Sequence, residues 1–194
     1  LAQRDITARH GLPKDEQGRA VGFMIVAYGK LGGLELAYGS DLDLVFVHGN
    51  CKGDTHGKRP VNAEVYFVRL AQRIVHYIAT TTAEGFVYRV DTRLRPHGND
   101  GTLACSLDGF TNYLQNEAWT WEHQALVRAR VVAGDAQLAQ AFVATRERVL
   151  LDDRKVAELR QEVRAMRQRM LSQLGTKSPD FFNIKQDPGG ITDI

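Results

Sequence analysis

The sequence predicts an α+β fold, a small mixed β-sheet core backed by helices over residues 1–105 and followed by a mainly helical subdomain over 106–194. Three observations carry this expectation. Short apolar runs at 22–28 and 42–47, bounded by glycine and polar residues, have the length and composition of buried strands. Val65, Val68, Leu70, Ala71, Ile74, Val75 and Ile78 recur at three- and four-residue steps, which places an amphipathic helix from 62 to about 80 against that sheet. Helical periodicity then dominates the second half, in segments 136–151 and 154–174.

Taken in order, Gly22–Tyr28 reads as the first strand, and Gly29-Lys30-Leu31-Gly32-Gly33 as a turn where backbone can approach a ligand closely. A short helical Leu34–Ala37 leads to Ser40 and the run Asp41-Leu42-Asp43-Leu44-Val45-Phe46-Val47. In an extended strand alternate side chains share a face, so Asp41 and Asp43 project together about 7 Å apart while Leu42, Leu44 and Phe46 fill the other side. Paired carboxylates at a strand's mouth suit Mg2+, which takes oxygen ligands and is usually held by one or two carboxylates plus substrate phosphates. Gly32, Gly33 and Ser40 are the corresponding phosphate-binding candidates, where backbone donors converge near the metal ligands. The pattern points to metal-assisted nucleotidyl transfer from a nucleoside triphosphate.

Residues 49–60 are polar and glycine-rich and are expected to form a mobile loop that covers the nucleotide. After the 62–80 helix, Gly85–Pro96 alternates β-branched, aromatic and polar residues and reads as a further strand carrying Asp91, Arg93 and Arg95. If the strand continues that far, both arginines share the Asp91 face, to pair with phosphate oxygens or with the carboxylates themselves. Ser106 is an N-cap for a second helix through Phe110, Tyr113 and Leu114. Trp119 and Trp121 read first as core anchors. The last two helical segments form a bundle whose arginines, Arg160, Arg164, Arg167 and Arg169, alternate with Glu158 and Glu162 on a solvated face.

A formal net charge of +2 with the two signs interspersed gives no footprint for long nucleic acid. Cys51 and Cys105 lie in no metal-binding spacing and fit a reducing compartment as separate thiols. No apolar run reaches membrane-spanning length and no signal-peptide pattern opens the chain, so no membrane partner and a cytoplasmic location are expected. The absence of an initial methionine and the abrupt Gly189-Gly190-Ile191-Thr192-Asp193-Ile194 end read as those of a fragment.

The order Gly-Gly, seven residues, Asp-x-Asp resembles the nucleotidyltransferase superfamily that includes DNA polymerase β. That resemblance implies a third catalytic carboxylate on a later strand, a role that Asp91 fits, and two metals held by Asp41, Asp43 and Asp91. Longer strings are more specific. Val26 through Phe46, Tyr88 through Pro96, and Asn116 through His123 resemble glutamine synthetase adenylyltransferase. The segment Trp119–Arg130 and Tyr38-Gly39-Ser40 are similar to the AMP-attaching unit of that two-unit family. The string Ile184–Gly190 resembles another of its segments.

The family resemblance implies transfer of AMP from ATP to a tyrosine of glutamine synthetase, with Mg2+ or Mn2+ as cofactor. It also implies the PII signal protein and glutamine as regulators. Three rivals stay open: the AMP-removing unit working by phosphorolysis to ADP, a non-catalytic nucleotide-binding regulatory module, and a nucleotidyltransferase acting on RNA or a small molecule.

Overall fold

The computed structural model describes residues 1–86, 88–178 and 180–193. They fold as two compact units, Leu1–Leu151 and Asp152–Ile194. The first holds helix α1 (Ala2–His10), strand β1 (Phe23–Ala27), the one-turn helix α2 (Gly29–Gly32), β2 (Leu42–His48), α3 (Ala63–Ala79), β3 (Val90–Asp91), β4 (Ala104–Ser106), α4 (Leu107–Asn116), α5 (Thr120–Leu126), β5 (Arg130–Gly134) and α6 (Ala136–Leu150).

The sheet is mixed and runs β3-β2-β1-β5, with β4 also on β2. Strand β1 pairs antiparallel with β2 and with β5, whereas β3 and β4 pair parallel with β2, β3 at its start and β4 at its end. Alternation along β2 sends Leu42, Leu44 and Phe46 into one apolar cluster with Tyr66, Phe67 and Leu70 of α3. Val45 and Val47 enter a second cluster with Phe110, Leu126, Leu138 and Phe142 from α4, α5 and α6. The sheet is therefore covered on both faces, which is why β2 reads as a nearly continuous apolar run. Burying about seven such side chains to near zero exposure supplies on the order of 10–20 kcal/mol before conformational entropy is counted.

Local signals set the helix starts. The Asn62 side chain accepts the Glu64 N–H, Ser106 Oγ accepts the Gly109 N–H and Asp135 accepts the Leu138 N–H, so α3, α4 and α6 each begin on a side-chain cap.

Several expectations are corrected. The helical turn falls on Gly29–Gly32 rather than on Leu34–Ala37, because Leu34 takes a φ of 62° and ends it. The expected strand over Gly85–Pro96 shrinks to Val90–Asp91, since the Asp91 side chain accepts the Arg93 N–H and turns the chain. Val87, in that stretch, lies outside the described residues, as does Ile194 at the end of the C-terminal string. The 49–60 loop follows the far end of β2, about 20 Å from Asp41, and is pinned to α1 by Gly57 N–H to His10 O and Arg59 N–H to Arg9 O, both 2.9 Å. It has neither the position nor the slack to cover a nucleotide at the carboxylates.

By packing, the chain divides after Leu151. Phe110, Leu138, Phe142 and Val149 form one core with β1 and β2, so the 106–151 helices complete the sheet's second face. The second unit contains α7 (Val156–Leu174) and the segment after it. There Arg167, expected on a solvated face, pairs with Asp193 and donates to Gln186 O at 2.9 Å. The buried Asp187 carboxylate accepts N–H groups from Thr176 and Asn183. Among the described residues no helix is long and apolar enough to cross a membrane.

Candidate functional site

Asp43 is the second residue of β2 and the register partner of Asp91 on β3. In-register neighbours on parallel strands lie about 4.8 Å apart with side chains on the same face. The strand mouth is stitched on both sides: Tyr28 N–H donates to Asp43 O at 2.9 Å, and Leu42 N–H donates to Arg89 O at 2.8 Å. Asp41 sits exposed just ahead of the strand. The Asp91 carboxylate, and more weakly the charges of Asp43 and Asp41, hold Arg93 in its charged form, above the usual arginine range.

The turn leading to Asp41 is closed by Ser40, which is buried. Its Oγ accepts the Ala37 N–H at 3.2 Å and its own N–H donates to Ala37 O at 3.1 Å, leaving Tyr38 and Gly39 exposed at the apex. Gly32 and Gly33 are not equivalent. A β-carbon on Gly32 would lie 2.0 Å from Arg128 O and 2.6 Å from Ala27 O, and Gly32 O accepts Arg130 Nε at 3.0 Å. The close approach at Gly32 is therefore made by the chain's own backbone. Both glycines border, with Arg128, Arg130 and Arg146, an open cleft of about 450 Å³.

Asp91 is bound by its neighbour. Arg93 donates through Nε to Oδ2 at 2.8 Å and through its backbone N–H to Oδ1 at 2.8 Å, and Arg93 Nη2 also pairs with Oδ2. The Arg93 hydrogen bonds hold the Asp91 carboxyl below the usual carboxylate range despite partial burial. Arg95 points elsewhere. Its Nη1 donates to Thr92 O at 2.7 Å and Thr92 Oγ1 at 3.0 Å and its Nε to Gly101 O at 3.2 Å, which fixes the loop after Asp91.

Carboxylate oxygens are the donors that Mg2+ or Mn2+ takes, and Asp41 is exposed and Asp43 half-buried at the start of β2. Among the described residues no group of three or more His, Cys, Asp or Glu is arranged to hold a metal ion. The chemistry of these carboxylates suits a hard divalent cation, and the Asp91 carboxylate is paired with Arg93.

Three features are absent from the sequence reading. Gly29, with a φ of 53°, lies against Asp43: a β-carbon there would sit 2.3 Å from Asp43 Oδ2. Arg128 pairs with Glu35 at 2.8 Å, and Arg130 donates to Leu31 O and Gly32 O, tying β5 to the glycine turn. Glu122 is buried and accepts Tyr113 OH at 2.8 Å and Trp119 N–H at 2.9 Å; burial, then that bond, pushes the Tyr113 hydroxyl up to about 12. The β-branched pair Val131-Val132, closed by Gly134, is the sequence signal for β5. Trp119 and Trp121, read as core anchors, are exposed, because Glu122 and Leu126 form the inward face of α5.

Residues 1–145 match the family model described as glutamate-ammonia ligase adenylyltransferase. The match takes in the whole sheet, the glycine turn and all three carboxylates.

Proposed function

The chain belongs to the glutamate-ammonia ligase adenylyltransferase family, and from that premise we propose that it carries the AMP-attaching site, which transfers AMP from ATP to a tyrosine of glutamate-ammonia ligase, that is, glutamine synthetase. The single observation that supports nucleotidyl transfer is the register pairing of Asp43 with Asp91 at the mouth of β2, with Asp41 adjacent and Gly29 packed on Asp43; the direction, attachment rather than removal, rests on the likeness of Trp119–Arg130 to the AMP-attaching unit. In this reading the tyrosine oxygen forms a bond to the α-phosphorus, the bond from that phosphorus to the α–β bridging oxygen breaks, and pyrophosphate leaves while the phenolic proton passes to water.

Asp41, Asp43 and Asp91 would hold Mg2+ or Mn2+, which supplies charge neutralisation at the phosphates. The residues themselves order the rest. The Gly32–Gly33 turn and Ser40 border the phosphates, both glycines lining the open cleft and Ser40 closing the turn that leads to Asp41. Arg93, largely exposed, is the arginine able to reach a phosphate; Arg95 supports the loop that carries it. A cytoplasmic setting and regulation by glutamine and the PII signal protein belong to the same proposal.

Product analysis tests the direction. With ATP labelled in the α-phosphate and unmodified glutamine synthetase, label should enter protein and pyrophosphate should appear. Release of ADP from AMP-modified enzyme and inorganic phosphate, without pyrophosphate formation from ATP, would assign the chain to AMP removal instead.

A further inference from the structure

Both oxygens of the Asp91 carboxylate are engaged by one residue. Oδ1 accepts the Arg93 backbone N–H at 2.8 Å and Nε at 3.1 Å, and Oδ2 accepts Nε at 2.8 Å together with Nη2. An ionised carboxylate has about four lone-pair sites, so this pairing occupies the positions through which Asp91 would ligate a cation. The pair is lopsided in exposure: the Arg93 side chain is 73% exposed and that of Asp91 20%. A guanidinium so exposed can leave for solvent or for another anion without being buried unpaired, and exposed ion pairs hold only weakly. Arg95 offers no such freedom, being fixed to Thr92 and Gly101.

Resting on the nucleotidyl-transfer reading above, we propose that Arg93 is a positioning residue that keeps Asp91 out of the metal-ligand set in the nucleotide-free chain and releases it when phosphates draw the guanidinium away. The third ligand becomes available only with nucleotide present, which couples strong cation binding to the presence of substrate. Two carboxylates and their neighbours hold Mg2+ or Mn2+ loosely, in keeping with a metal that arrives with the triphosphate.

The test is Mn2+ binding without nucleotide, followed by the loss of the electron paramagnetic resonance signal of free Mn2+. It compares the unsubstituted chain with Arg93→Gln, Arg93→Lys and Asp43→Asn. Arg93→Gln should bind Mn2+ about three- to tenfold more tightly, as expected for removing a bidentate competitor at an exposed site. Arg93→Lys keeps the charge and loses the fork, and should also bind more tightly, between the other two. Unchanged or weaker binding in Arg93→Gln, with Asp43→Asn abolishing it, overturns the positioning role and leaves the metal site standing. Tightening in Gln with none in Lys assigns the effect to net charge and also overturns it. If none of the four proteins binds Mn2+, the metal reading itself fails, and this proposal with it.

Discussion

Gly29 and Asp43 are in contact at the mouth of the sheet: the glycine takes a left-handed φ of 53°, and a β-carbon built on it lies 2.3 Å from Asp43 Oδ2. The turn after β1 thus sets where the central carboxylate of β2 can point.

Gly29→Ala separates two effects. A left-handed alanine costs about 1–2 kcal/mol, measurable as a lower urea midpoint. The atom it meets is the end of a side chain, so the clash is relieved by moving the Asp43 carboxylate. AMP transfer should fall by more than tenfold under conditions where the variant is fully folded.

Gly32 and Gly33 should respond unequally to alanine. At Gly32 the new carbon meets two backbone carbonyls, at 2.0 and 2.6 Å, which cannot swing aside. Destabilisation of about 2–3 kcal/mol or more is expected in denaturant melts. At Gly33 the nearest atoms are the Glu35 carboxylate at 3.2 Å and Gly29 O at 3.3 Å and φ is −79°, so Gly33→Ala should cost less, about 1 kcal/mol.

Tyr113→Phe removes the donor to the buried Glu122 Oε1. Leaving a buried carboxylate oxygen unpaired should cost about 1–3 kcal/mol in thermal or urea unfolding.

His48 gives the fold a pH dependence. It is buried and stacks on Phe67 with ring centroids 4.3 Å apart, and burial lowers its pKa although Nδ1 lies 2.7 Å from Gly49 O. The unfolded chain therefore binds a proton at this site at a higher pH than the folded chain does. The stabilisation is complete above the unfolded value of about 6.5 and is lost as pH falls from there toward the lower folded value. Stability measured from pH 7.5 to pH 5 should decline, by at most about 1.4 kcal/mol per pH unit from this residue. His48→Gln should flatten that decline.

The strand that carries Asp43 was legible in the sequence because it depends on period-two alternation: Leu42, Leu44 and Phe46 enter one apolar cluster while Val45 and Val47 enter the other. The helices at 63–79, 107–116, 136–150 and 156–174 were legible from apolar stripes and caps. What was not legible depends on side chains capturing backbone or on packing between distant segments. Asp91 accepting the Arg93 N–H ends β3 and separates Arg93 from Arg95, which a strand pattern alone places on one face. The clash partners of Gly29 and Gly32 lie on β2 and next to β5, so no local pattern distinguishes these glycines from Gly33. Strand β5 is a five-residue edge strand whose apolar run, Val131-Val132-Ala133, is only three residues long, shorter than the runs that marked β1 and β2.

The central claim is that the carboxylates at the β2 mouth carry out AMP transfer, and Asp43→Asn tests it most directly. The substitution keeps the size of the side chain and removes its charge. The rate of label transfer from ATP to glutamine synthetase should fall at least a thousandfold, about 4 kcal/mol of transition-state stabilisation, with the unfolding midpoint nearly unchanged. Transfer by Asp43→Asn at the unsubstituted rate contradicts the claim.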